Sequence, residues 1–190
     1  MAGLDEAGRG PLAGPVIAAT VIIKPCLKWN FKHLRLRDSK KLSLKRREEF
    51  YKLITKNPAI KWGIGRVSEK VIDKINILEA TKLAMRKAIK KLKRKPDFLI
   101  LDGNFKIDIN LPQRSIIKGD EKVFSCAAAS VIAKVYRDRI MQRYHKKYPQ
   151  YGFDKHKGYG TKLHRAILKK YGPSKIHRKS FKLVAKLSKK

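Results

Sequence analysis

Acidic residues are scarce in this chain: its 190 residues carry 15 Asp and Glu against 48 Lys and Arg, a formal net charge of +33. That imbalance excludes an acidic tail and points to a polyanionic partner. Cationic side chains that neutralise phosphates release condensed counterions, so such a surface binds nucleic acid with a steep salt dependence. Cysteine is nearly absent. Cys26 and Cys126 are far apart in the chain and fit no zinc spacing, which is the usage of a reduced, cytoplasmic protein. Long apolar runs are missing as well. The longest, Val16 to Ile23, is far short of the roughly 20 residues that a membrane-crossing helix needs. Asp5, Glu6 and Arg9 interrupt the beginning of the sequence before an apolar signal segment forms, so no signal peptide is expected. No segment pairs a basic face with a useful Trp, Phe or Leu face, which argues against a membrane-surface anchor.

What is present suffices for one core. Hydrophobic residues make up 43% of the chain, and a single domain of this size buries roughly 70% of the surface its unfolded chain exposes. The first residues up to Asp5 and the run Val16 to Ile23 read as neighbouring strands joined by a Gly/Pro-rich turn. A helix is expected near Leu44 to Ile54, stopped by Asn57-Pro58, and a strand over Ile60 to Val67. Asn76 begins a second helix running to about Lys93. Phe98 to Leu101 is a continuous apolar run ending in Asp102-Gly103, the pattern of a buried strand. A shorter strand over Ser115 to Ile117 leads to Lys118-Gly119-Asp120, and a long helix covers about Val123 to Lys147. This alternation predicts an α/β domain over residues 1–147. The basic, glycine-punctuated residues 148–190 form a helical C-terminal region packed on it.

With so few acids, their placement is informative. Asp5 and Glu6, Asp102 and Asp120 each fall at the end of an expected strand, where open α/β sheets gather their functional sites. Asp138 lies on the long helix. At about 100° per residue it falls within roughly 60° of Val131 and Val135, on the stripe that faces the sheet. Two carboxylates about 4 Å apart repel by roughly 4 kcal/mol at an effective dielectric of 20, so a cluster of them needs a cation. Oxygen-only ligands select hard ions, Mg²⁺ or Mn²⁺. Within a strongly basic protein, such a cluster suggests phosphodiester chemistry with two metal ions. Taken one by one, the same acids read as caps, turn residues or surface ion pairs.

The turn Asp5-Glu6-Ala7-Gly8-Arg9-Gly10-Pro11 is dense in glycine, yet it matches neither GxxxxGK[ST] nor GxGxxG. Two acids before it would repel a pyrophosphate. Gly8 and Gly10 instead let bare backbone approach a ligand, with Arg9 free to meet a phosphate; a tight hairpin turn is the other local reading.

That turn resembles the signature of the ribonuclease HII family, the type 2 ribonucleases H. Arg37-Asp38-Ser39-Lys40-Lys41-Leu42, Asn76-Ile77-Leu78, Leu101-Asp102-Gly103 and Lys118-Gly119-Asp120 resemble further family motifs. So do Ser125 to Val135, Arg137-Asp138 and His156-Lys157-Gly158-Tyr159-Gly160-Thr161, all in the family's order. The resemblance implies a ribonuclease H-like fold, a five-stranded mixed central sheet flanked by helices, with a helical C-terminal region. It implies Mg²⁺- or Mn²⁺-dependent hydrolysis of RNA in RNA/DNA duplexes, with two ions per active site. It also implies nicking 5′ of single ribonucleotides embedded in duplex DNA, leaving 3′-hydroxyl and 5′-phosphate ends. By motif, Asp5, Glu6, Asp102 and Asp120 are the metal-binding catalytic carboxylates and Asp138 is a fifth catalytic acid. Gly8, Arg9 and Gly10 would read the 2′-hydroxyl, the group that distinguishes RNA from DNA, and Tyr159 would stack on the following sugar. Ser39, Lys40 and Asn76 fall where the family contacts the nucleic-acid backbone, although locally they read equally well as turn and cap residues.

No clamp-binding box of the QxxLxxFF kind is seen, and a monomer is expected. The five histidines show no zinc-type pair and are expected to meet phosphate or solvent. The competing reading is a basic nucleic-acid-binding protein without catalysis, in which the acids serve only structure.

Overall fold

Strand β1 (Ala2–Ala7) is the centre of a five-stranded mixed sheet in the computed structural model, which describes residues 1–24 and 42–187. Ser39, Lys40 and Cys26 lie outside the described residues. With β2 (Val16–Ile23), β3 (Ile60–Val67), β4 (Leu99–Asp102) and β5 (Gln113–Ile116), the order is β3-β2-β1-β4-β5. The three strands β1, β2 and β3 form an antiparallel meander, while β4 joins β1 and β5 joins β4 in parallel. The expected five-stranded α/β sheet is therefore the one observed.

Helices cover both faces. On one side, α4 (Phe124–Lys147) and α1 (Leu44–Lys56) pack on Ile17, Ala19 and Val21. On the other, α2 (Glu69–Lys90) packs on Ala2, Leu4, Val16, Ala18, Leu99 and Leu101. Alternation along each strand sorts side chains between these layers. The first two turns of α4 are Ser125, Cys126, Ala127, Ala128, Ala129 and Ser130, all buried. Small side chains there let the helix backbone approach the central strand; a Cβ on Gly3 would collide with Ser125 and Cys126. Cys126 accordingly sits in the interior, where burial pushes its thiol up to about 12, and it is chemically inert.

Helix α2 begins at Glu69, seven residues before the start expected from the sequence. Asn76 does not open the helix but interrupts it, with φ 64° and ψ 170°. Asn tolerates positive φ because its short polar side chain bonds locally. Here Oδ1 accepts from the N–H groups of Leu78 and Glu79 at 2.9 and 3.1 Å, so Asn76 caps the second segment. Leu78, two residues on, is exposed although apolar.

Short helix α3 (Gly119–Lys122) precedes α4, and beyond α4 come α5 (Phe153–His156), α6 (Lys162–Tyr171) and α7 (Lys182–Leu187). The last three build a third core, in which Phe153, Leu168, Ile176 and Val184 meet Leu12 and Ala13 of the glycine turn and Met141 of α4. The C-terminal segment thus packs directly on the loop that follows β1. No helix among the described residues is long and apolar enough to cross a membrane.

Gly63 and Gly65 set the distance between β3 and α2. A Cβ on Gly65 would run into the Ala84 carbonyl oxygen, and one on Gly63 into that of Ala88. Gly65→Ala is expected to destabilise by about 1–3 kcal/mol, the usual range for overpacking. That corresponds to a fall in Tm of roughly 2–4 °C per kcal/mol at this size. A thermal melt followed by circular dichroism checks it; an unchanged Tm would contradict the close contact of α2 with β3.

Candidate active site

The register between β1 and β4 creates the site. Leu4 pairs with Leu101, so the next residues on each strand, Asp5 and Asp102, come to lie side by side. Asp5 is opposite Ala19, part of the core on the α4 side, and points to that face. The following residue, Glu6, is opposite Ala18 of the core under α2, so the pleat separates these consecutive acids. Asp120 arrives from the first turn of α3, just past the end of β5. The Gly119 N–H donates to Asp102 Oδ1 at 2.7 Å, tying that turn to β4.

One carboxylate oxygen from each of Asp5, Asp102 and Asp120 lies within 4.8 Å of the others. Asp5 and Asp120 are buried, each only 3% exposed. Burial, and then the neighbouring Glu6 and Asp102 carboxylates, raises the Asp5 carboxyl well above its ordinary range. Its Oδ1 accepts from the Glu6 N–H at 2.6 Å, whereas Oδ2 is buried without a well-formed hydrogen bond. Three convergent carboxylates, two of them buried, fit a hard divalent cation with oxygen ligands.

The other two predicted acids are not among the three whose oxygens converge, although Glu6 is near enough to Asp5 to raise it. Glu6 Oε1 receives Arg9 Nη1 at 3.3 Å. Asp138 is buried on α4 with Val131 and Val135, as the helical angles predict, and it takes Lys134 Nζ at 2.8 Å. Glu6, Arg9 and Lys134 line a cleft of about 450 Å³ together with Gly8, Gly10, Ser130 and Tyr159. Tyr159 is 42% exposed there. Asn76, by contrast, is used as the helix cap already described.

The glycine turn behaves differently at its two glycines. Gly8 has φ +99°, and a Cβ on it would strike the Arg137 side chain, so this glycine answers to packing beneath the loop. At Gly10 the nearest atom to a Cβ is Tyr159 Cε1 at 3.9 Å, so only this one leaves open space in the cleft.

Beneath the turn are two residues to which the sequence reading gave no role. Arg137 donates to the carbonyls of Pro15, Ala13 and Lys157 at 3.0–3.1 Å. Arg178 donates to those of Gly8, Arg9 and Gly14 at 2.6–3.0 Å. Burial lowers them to about 10 and about 9. Arg137 carried a signal, since its i±4 neighbours Ala133 and Met141 are both apolar; Arg178 lies in a segment with no periodicity to mark it.

The histidine expectation is corrected. His156, His164 and His177 are buried, 7%, 0% and 2% exposed, and meet neither phosphate nor solvent. They sit with Phe153 against the segment carrying Tyr159. Aromatic packing of the C-terminal helices, invisible in local spacing, draws them in. Burial first, and then neighbouring imidazoles, pushes His164 down to about 4 and His177 down to about 3.

The family model for ribonuclease HII matches residues 2–184. A ribonuclease HII of Syntrophus aciditrophicus is 52% identical over 183 residues, covering 96% of this chain and 84% of the relative. One from Chlamydia muridarum is 54% identical over 181 residues, covering 95% and 81%. Among solved structures, the ribonuclease H2 of Pyrococcus horikoshii OT3 superposes with a TM-score of 0.77 at 29% identity, over 99% of this chain and 96% of that one.

Two outcomes are expected from the site's electrostatics. Mg²⁺ or Mn²⁺ should raise Tm, by an amount corresponding to about 2.7 kcal/mol when the free ion is at a hundredfold excess over its Kd. Asp102→Asn, which relieves the repulsion on Asp5, should melt higher than the parent protein in EDTA and lose most of the response to the ion. A melt in EDTA and in each metal reads both; an equal metal response in the two proteins would contradict the cluster as an ion site. The second outcome concerns pH. His164 and His177 are neutral in the fold, whereas in the unfolded chain they protonate below about 6.5. The unfolded state therefore binds more protons, and stability falls as pH drops from about 6.5, by up to roughly 1.4 kcal/mol per pH unit for each histidine. Urea unfolding between neutral pH and mild acid measures the slope, which His177→Gln should reduce.

Proposed function

The chain belongs to the ribonuclease HII family, and from that premise we propose that it hydrolyses the RNA strand of RNA/DNA duplexes and nicks 5′ of single ribonucleotides embedded in duplex DNA. It is a ribonuclease, and the reading of a basic binder without catalysis gives way to that membership. The observation that carries the finer proposal is the convergence of Asp5, Asp102 and Asp120 beside the cleft shared by Gly10 and Tyr159.

Asp5, Glu6, Asp102 and Asp120 hold two divalent ions, Mg²⁺ or Mn²⁺, and Asp138 serves as a fifth acid at the rim. When bound, such ions supply Lewis acidity that activates water and stabilises the departing 3′-oxygen. The protein's own contribution is placement. Arg178 holds the Gly8 and Arg9 carbonyls on one side of the turn. In a trans peptide the next N–H points the opposite way, so the Arg9 and Gly10 amides are turned away from Arg178 and can meet the 2′-hydroxyl and its neighbouring phosphate. Tyr159 supplies the opposite wall, stacking on the sugar that follows the ribonucleotide. The products are 3′-hydroxyl and 5′-phosphate ends. Ser39, Lys40 and Asn76 contact the nucleic-acid backbone. Residues 148–190 add a basic substrate-binding surface to the catalytic residues 1–147, and the protein acts as a monomer in the cytoplasm.

Labelled duplex DNA carrying one ribonucleotide is expected to yield one nick, 5′ to that residue, in Mg²⁺ or Mn²⁺ and none in EDTA. Asp5→Asn and Asp120→Asn should each lower kcat by roughly 10²–10³-fold or more, the scale on which loss of one transition-state stabiliser is felt. Tyr159→Ala should reduce cleavage of this substrate more than cleavage of a uniform RNA/DNA hybrid. Cutting that is insensitive to EDTA, or equal losses on both substrates for Tyr159→Ala, would count against the assignment.

A further inference from the structure

The three buried histidines take no part in the chemistry above, yet their hydrogen bonds fix the protonation of every ring nitrogen. The Gly158 N–H donates to His156 Nδ1 at 3.1 Å, so the His156 proton is on Nε2, where it is given to the Tyr151 carbonyl at 2.7 Å. The Ser174 N–H donates to His177 Nδ1 at 2.9 Å, which puts the His177 proton on Nε2. That nitrogen faces His164 Nε2 at 3.0 Å. Two ring nitrogens at this distance need one proton between them, so His164 Nε2 accepts. The remaining His164 proton is therefore on Nδ1, which lies 2.9 Å from the Tyr159 carbonyl oxygen. The chain of donors runs one way, from Ser174 through His177 and His164 to Tyr159, with each ring neutral.

We propose that His177 and His164 are positioning residues, forming a directional hydrogen-bond relay that clamps the Tyr159 carbonyl and so aims its ring at the nucleotide flanking the ribonucleotide. The role in specificity rests on the reading of Tyr159 given under Proposed function. The ring itself is 42% exposed, with Lys134 and Arg137 over it at 5.7 and 5.9 Å, contacts too loose to fix its direction alone. Its backbone is held more firmly. The Tyr159 N–H donates to the His156 carbonyl at 2.8 Å, and the Tyr159 carbonyl accepts both from His164 and from the Thr161 N–H at 2.8 Å. The relay cannot pivot easily, because His164 is stacked on His156 at 4.1 Å between centroids and 15° between planes. Phe153 presses on all three rings at 5.7–5.8 Å. If filling this pocket were the whole task, apolar side chains would do it without the penalty of burying polar nitrogens. Three neutral imidazoles are retained where each nitrogen is matched and the last donor is spent on the loop that enters the cleft.

The relay is tested first without activity. Ring ¹⁵N shifts of histidine-labelled protein near neutral pH are expected to show three neutral histidines, His156 and His177 with the proton on Nε2 and His164 with it on Nδ1. The opposite tautomer at His164, or a charged ring, would overturn the proposal. The second measurement is the ratio of kcat/KM for an embedded ribonucleotide to kcat/KM for a uniform RNA/DNA hybrid. His164→Ala and His177→Leu should lower this ratio roughly tenfold, since small displacements of positioning groups are felt on that scale or above. His164→Asn, whose amide nitrogen stands near the place of Nδ1, should recover most of it, whereas His164→Gln should not. Added to Tyr159→Ala, His164→Ala should change the ratio no further, as expected of residues acting through one group. Folded histidine variants with an unchanged ratio, alongside a Tyr159→Ala protein whose ratio falls, would overturn the relay's role and leave the Tyr159 reading standing. A Tyr159→Ala ratio like that of the parent, with the tautomers as assigned, would instead overturn the Tyr159 reading and with it the relay's part in specificity. Where His164→Ala fails to fold, the Asn and Gln variants decide, because they differ chiefly in where the donor sits.

Discussion

Holding like charges together in a buried corner is the constraint on which the site depends. Asp5 and Asp120 are nearly inaccessible, and Asp5 is pushed well above the ordinary carboxylate range by burial and by its acidic neighbours. Left to themselves these groups would separate, so the backbone must keep them in place. Two parallel strand pairings do this: β1 with β4 sets Asp5 beside Asp102, and β4 with β5 carries the chain on to Asp120. Gly119 then lies so close to Asp102 that its Cα hydrogen position faces that strand, with an added Cβ 3.2 Å from the Asp102 Cα. The repulsion stored here is what a divalent ion relieves, so affinity for the ion and strain in its absence have one origin.

A second constraint acts on the glycine turn, where cations replace anions. Arg137 and Arg178 are fully buried and spend their guanidinium donors on backbone carbonyls of residues 8–15 and of Lys157. A buried cation needs such partners to be tolerable. The geometry also explains why the C-terminal segment is part of the site. Arg178 reaches the turn from a stretch whose next two residues, Lys179 and Ser180, donate to Asp73 of α2 at 2.6–3.0 Å. One end of the segment is fixed to a helix on the far face of the sheet, and the other supports the loop entering the cleft. Removing the tail would therefore disturb the turn without touching Asp5, Asp102 or Asp120.

Much of this was legible in the sequence, for physical reasons. The positions of β1 and β4 follow from apolar runs that end in acids, and helical angle alone places Asp138 on the buried stripe. Asp5 and Glu6 were harder, because adjacency in sequence hides the fact that a pleat sends them to different faces. Only the cross-strand partners Ala19 and Ala18 reveal it. The start of α2 was missed since Glu69 to Ile75 is charged and short, and Asn76 is a strong enough capping signal to draw the boundary to itself. Gly8 and Gly10 look interchangeable in the turn, yet one is glycine because of Arg137 beneath it and the other faces the cleft. The histidines were misplaced because their burial depends on contacts among α5, α6 and the segment before α7, which no local periodicity encodes.

The charge distribution divides the work between attraction and selection. A net charge of +33 draws a polyanion from every direction, but beyond roughly 8 Å that attraction is screened at physiological salt and carries no sequence information. At the cleft the arrangement changes. Arg9 is paired with Glu6, and Lys134 with Asp138, so two of the cations that line the cleft already have partners. A phosphate entering there meets matched charges and oriented amides, and gains less from indiscriminate cationic attraction than it would on the outer surface. In the function proposed above, binding strength is set by lysines spread over the whole molecule, while discrimination is left to backbone donors and one aromatic ring. These are groups whose usefulness depends on placement and not on charge, which is why so many buried polar contacts, from Arg137, Arg178 and His164, converge on the two loops that carry them.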